Sequence, residues 1–198
     1  MLNRKTYFIV IGLISSIIFI YNLIPSQIEG ADITVSATVG ETISCTSVQT
    51  VTAFGTLTTA AVATSTPNVT VSMSCSYAAG CTLSVKDTGD TSDPGLFSTA
   101  ATYTIPSVTA ALSAGTEGYG IQATTTASDS GDTLTIAGVY NKIGDNVGAL
   151  AITDVDISSS TAPISGRETV VTHKAAISGL TEAAVDYADT ITYSCAGN

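Results

Sequence analysis

The chain has no tryptophan, one histidine, two methionines, and only six lysines and arginines against sixteen aspartates and glutamates. So few basic residues exclude the positive footprint of a nucleic-acid binder, and an anionic membrane surface would repel the acidic part of the chain. A single histidine, His173, leaves little for zinc. Five residues lie between Cys75 and Cys81, too wide for the usual C-x2–4-C knuckle. No serine sits in a nucleophile-elbow context, so no Ser-His-Asp triad can be assembled around His173. Glu168 and Glu182 do not form a readable glycosidase pair, and residues 115–120 lack the Lys-Ser/Thr that follows a phosphate loop. Past the N-terminal segment there is no sustained period of 3.6 and no internal repeat. These absences point to a non-enzymatic protein with no cofactor.

What is present begins with export. Arg4 and Lys5 precede an uncharged, mostly apolar run over residues 7–24, ended by Pro25, with the small residues Gly30 and Ala31 beyond it. The run suits a signal peptide cut after Gly30. As a helix it would also rise about 27 Å, enough for an uncleaved N-terminal membrane anchor. Residues 1–30 therefore read as signal peptide or anchor, and the only membrane contact expected is through that segment if it is not cleaved. No cysteine near the end of the run marks a lipoprotein, and the C-terminus carries no apolar tail or basic stop.

From Ala31 onward the chain reads as one domain, 31–198, built of short strands. Ile33, Val35, Ala37 and Val39 alternate with polar residues, as do Val69, Val71, Met73 and Cys75, then Cys81, Leu83 and Val85, and finally Ile191, Tyr193 and Cys195. Further strands are expected over 102–105, 119–124, 133–137, 149–156 and 168–177, and one helical turn over 107–114. Residues 56–66 and 123–130 read as exposed loop or edge strand, and Asn68 opens a glycosylation sequon. Clusters of Gly, Pro, Asn and Asp separate the segments. The expectation is an all-β, antiparallel sandwich.

All four cysteines, Cys45, Cys75, Cys81 and Cys195, fall on apolar faces of these strands. In an exported chain that reads as two disulfides, and spacing alone leaves three connectivities open. An even count leaves no free thiolate for catalysis. Asp87, Asp90 and Asp93 cluster in one loop, but without the alternating spacing of a calcium loop they read as a solvated acidic turn. His173 reads as a hydrogen-bonded structural residue. Lys174 lacks the surroundings that an isopeptide cross-link requires.

Cys45, followed by Ala53-Phe54-Gly55-Thr56-Leu57 and then the strand from Val69 to Cys75, resembles the spore coat protein U family and related secreted pilin subunits. The stretch Tyr187-Ala-Asp189-Thr190 leading to Tyr193 is similar to that family's closing strand, and Tyr119-Gly120-Ile121 to its middle strand. The likeness covers the two ends of the domain; Cys81, Cys195 and the Asp-rich residues 87–132 depart from it. It implies an immunoglobulin-like sandwich of pilin type. It also implies a structural subunit at the cell surface or secreted, assembling with other copies of itself or related subunits through strand edges. On that topology Cys45–Cys75 would close about 30 residues, worth about 3–4 kcal/mol, and Cys81–Cys195 a longer loop worth about 4–5 kcal/mol. The competing pairing is Cys75–Cys81 with Cys45–Cys195. Residues 31–40, with Ile33, Val35, Ala37 and Val39 on one face, serve either as the first strand of their own domain or as a donor strand for a neighbour. A surface adhesin or binding module using the acidic loops 87–95 or 129–146 is the alternative function.

Overall fold

The computed structural model describes residues 36–89, 93–126 and 130–198, and among these the regular structure is all strand with no helix. The strands are β1 (Ile43–Ser47), β2 (Ala63–Thr64), β3 (Val69–Cys75), β4 (Cys81–Asp87), β5 (Gly95–Ser98), β6 (Tyr103–Pro106) and β7 (Ala110–Ala111). They continue with β8 (Gly118–Thr126), β9 (Ser130–Gly131), β10 (Thr135–Ile136), β11 (Asn146–Val147), β12 (Val155–Ser159), β13 (Ile164–Ala176) and β14 (Ile191–Gly197). One sheet runs β1-β3-β13-β2, with β8 and β9 also paired to β13; a second runs β10-β12-β4-β14. Two ribbons, β5–β6 and β7–β11, complete the strand pairings. Residues 39–198 form one compact unit.

The period-two pattern of the sequence becomes a period-two burial. In β3 and β4 every apolar residue is buried and every intervening polar residue is half-buried. Val71, Met73, Leu83 and Val85 join Ile121 of β8, Ile157 of β12 and Val171 of β13 in a single apolar cluster drawn from both sheets. Burying each such side chain contributes about 1.5–3 kcal/mol. The long strand β8 is also covered on its other side. A Cβ on Gly120 would lie 2.7 Å from the Gly148 carbonyl oxygen, so only glycine lets β11 and its flank pack there.

Both disulfides join the two sheets: Cys75–Cys81 links β3 to β4, and Cys45–Cys195 links β1 to β14. The pairing implied by the resemblance, Cys45–Cys75 with Cys81–Cys195, is therefore corrected, and register gives the reason. β4 and β14 do lie antiparallel side by side, but Cys195 faces Leu83 and it is Gly197 that faces Cys81. In the other sheet Cys45 faces Met73 and it is Ile43 that faces Cys75. Each expected partner is two residues out of register, so each sulfur reaches across to the opposite sheet.

Other expectations shift as well. Residues 36–40 are exposed and lie in no strand, while Ile33 and Val35 fall outside the described residues, as does the whole export segment. The expected helical turn at 107–114 is instead β7 and a turn, and residues 149–154 precede β12 without joining it. The connection from β3 to β4 turns on Gly80, whose φ is +82° and whose added Cβ would meet the Ser160 carbonyl oxygen at 2.3 Å. Gly80→Ala is expected to cost about 2 kcal/mol from left-handed strain and overlap, lowering Tm by about 4–8 °C in a thermal melt.

Candidate functional site

β1 and β14 are the outer strands of their sheets, each paired on one side only, to β3 and β4 respectively. The Cys45–Cys195 bridge ties them at one point. Away from it, the segment that leaves β1 and the segment that enters β14 diverge and enclose a cleft of about 1260 Å³. One wall is residues 49–57 and the other residues 181–189; Val69, Leu96, Ile105 and Ile177 contribute apolar floor.

Each wall is pinned by hydrogen bonds. On the first, the Val48 N–H donates to the Thr70 carbonyl at 3.0 Å, and the Gln49 side-chain oxygen accepts from the Thr70 N–H at 2.7 Å. Ala53 and Thr66 exchange a pair of main-chain bonds. On the second, Thr181 donates to Glu117 at 3.0 Å, Asp186 accepts from the Ser98 hydroxyl and the Ala100 N–H, and Ala188 exchanges main-chain bonds with Phe97. Between these anchors both lips carry apolar side chains facing water: Val51 is 73 % and Val185 106 % exposed relative to an extended reference.

The floor mixes aromatic and polar groups. Phe54 meets Tyr119 edge-on at 6.1 Å, and Tyr119 stacks on the imidazole of His173 at 6.4 Å. His173 is buried, and neither ring nitrogen has a hydrogen-bond partner among the described residues. That corrects its reading as a hydrogen-bonded residue. Burial alone lowers its pKa to about 4, so the ring is neutral at pH 7. Asp189 is half-buried, yet both its carboxylate oxygens are enclosed, and although the Tyr119 hydroxyl is near, neither oxygen makes a well-formed hydrogen bond among the described residues. Desolvation first, then the charge of Asp87, raises its pKa to about 7; the Tyr119 hydroxyl draws it partly back. The Tyr193 hydroxyl is likewise buried without a partner, and burial followed by the Asp189 charge pushes its pKa up. Unpartnered buried polar groups each cost about 1–3 kcal/mol, and His173, Asp189 and Tyr193 all lie in this one cleft.

Other residues singled out by sequence lie elsewhere. Asp87 is buried, not a solvated turn: its carboxylate accepts from the Gly89 and Gly95 N–H groups at 3.0 and 2.8 Å. That commits it structurally and weakens loop 87–95 as a ligand site; Asp93 is exposed, and Asp90 falls outside the described residues. Glu168 bonds Thr126 on an exposed face, and Lys174 pairs with Asp145 at 2.9 Å. Among the described residues no group of three His, Cys, Asp or Glu side chains could hold a metal, and no helix is long and apolar enough to cross a membrane. Sequence reasoning placed Asp189 and Tyr193 in the closing segment and gave them no part in a site. A signal was present: in the period-two pattern of the closing segment, Asp189 falls on the same face as Ile191, Tyr193 and Cys195.

Comparison with known proteins finds no matching family model, no matching curated protein and no matching solved structure.

Proposed function

We propose that the chain is a non-enzymatic structural subunit, secreted or held at the cell surface, whose two sheets are the halves of an immunoglobulin-like sandwich of the spore-coat and pilin type. It assembles by receiving an extended segment of a neighbouring subunit into the cleft between β1 and β14. The observation that carries this reading is the cleft itself: an apolar trough between two outer strands, with valines exposed on both lips. Unpaired strand edges offer main-chain donors and acceptors, and alternate apolar side chains of an incoming strand fill the floor. Residues Ile33, Val35, Ala37 and Val39 have the spacing of such a strand. Two disulfides are compatible with an oxidising, extracellular setting.

The test is deletion of residues 31–40 from the mature chain, with assembly followed by size-exclusion chromatography and negative-stain electron microscopy. Fibres or a regular layer are expected for the intact chain and monomers for the deletion. Assembly that survives the deletion unchanged, or an intact chain that stays monomeric at millimolar concentration, overturns the donor role.

A further inference from the structure

The cleft has a charge problem that its own residues do not solve. Asp189 presents two enclosed carboxylate oxygens and Tyr193 a buried hydroxyl, none of them in a well-formed hydrogen bond among the described residues. The neighbouring Asp87 carboxylate is taken up by two main-chain N–H groups and adds a second negative charge. His173 is buried and neutral and supplies no positive charge. No lysine or arginine is among the residues that line the cleft, whereas Asp189 and Glu182 both are. Aromatic and apolar side chains make up much of the remaining wall, among them Phe54, Tyr119 and Ile191.

Resting on the reading of the cleft as a strand-accepting groove, we infer that Asp189 and Tyr193 form a subsite for a cationic side chain carried by the inserted strand. The stem of a lysine or arginine would pack along the apolar wall, and its head would donate hydrogen bonds to the Asp189 oxygens and the Tyr193 hydroxyl. A charge pair formed in so enclosed a place is strong only when both members are present, since either one alone is left desolvated. The consequence concerns partner choice. Residues 31–40 contain no lysine or arginine, and their one charged side chain is Asp32. Insertion of this segment from a second copy would leave Asp189 unpaired. The groove therefore holds a strand from a related subunit with a lysine or arginine at an inward-facing position more tightly than it holds residues 31–40 of a second copy.

The experiment uses the intact mature chain and fluorescently labelled peptides with the sequence of residues 31–40. One peptide is unaltered, and four carry Ile33→Lys, Val35→Lys, Ala37→Lys or Val39→Lys in turn. Binding is read by anisotropy at pH 8 and pH 5. At least one lysine peptide is expected to bind tenfold or more tighter than the unaltered one at pH 8. That advantage should shrink to less than twofold in Asp189→Asn and at pH 5, where Asp189 takes up a proton beside Asp87, Tyr119 and Tyr193. Equal binding of all five peptides rejects the cationic subsite and leaves the groove standing, as does an advantage that persists in Asp189→Asn. Binding of none rejects the groove reading and the subsite with it.

Discussion

Replacing Cys45 and Cys195 together by alanine is expected to lower stability by about 5 kcal/mol, and replacing Cys75 and Cys81 by about 2 kcal/mol. The difference comes from the chain each bridge closes. The first spans a sequence separation of 150 and the second a separation of 6, and the entropy removed from the unfolded ensemble grows with the logarithm of the loop. Urea unfolding of the two double variants checks this; equal losses, or a larger loss for Cys75 and Cys81, would overturn the assignment. The more valuable bridge is also the more accessible. Cys45 is exposed and Cys195 half-buried, whereas Cys75 and Cys81 are 5 % and 0 % exposed. Mild reduction followed by alkylation should therefore label Cys45 and Cys195 first, and the same treatment should loosen the cleft they hold together.

That pairing marks where the sequence stopped being legible. The alternation of Val69 to Cys75 and Cys81 to Val85 was enough to predict two half-buried strands. Period two states which face a residue is on but not which residue stands opposite it. Cys195 and Cys81 are on one face whether they are in register or two residues apart, and a shift of two is invisible to the pattern. The same limit hid the cleft. Residues 49–57 and 181–189 lack clean alternation because they are walls held by main-chain and side-chain bonds to distant segments, not members of a sheet ladder. His173 and Asp189 were visible as polar residues among apolar neighbours. Only the three-dimensional arrangement brings both to one cavity and leaves both unpartnered.

Those two residues also give the largest pH effect expected of the fold, in opposite directions. His173 titrates near pH 4 when folded against an ordinary 6.5, so between these values the unfolded chain holds more protons and stability falls as pH drops, by about 3 kcal/mol in all. Asp189 titrates near 7 when folded against an ordinary 3.8, so across that window the folded chain holds more protons. Its contribution is greatest below pH 3.8 and is lost as pH rises through 7, by about 2 kcal/mol after allowance for its partial exposure. Beyond desolvation, the charge of Asp87 is the largest influence on Asp189, and desolvation is the cause of the His173 shift. In the intact protein the two slopes oppose each other from about pH 4 to 6.5 and largely cancel, leaving a decline close to pH 7. Separating them is direct. His173→Gln should leave a protein that loses stability steadily from pH 4 to pH 7, whereas Asp189→Asn should lose stability from pH 6.5 down to pH 4. The double variant should return to a nearly flat profile. Asp132 and Asp186, whose hydrogen bonds hold their pKa values low, are common to all four proteins and drop out of the comparison. Urea midpoints at pH 4, 5.5 and 7.5 suffice. Parallel profiles for the two single variants would mean that neither group is held desolvated in the cleft, and the case for an occupant that pairs with Asp189 would go with it.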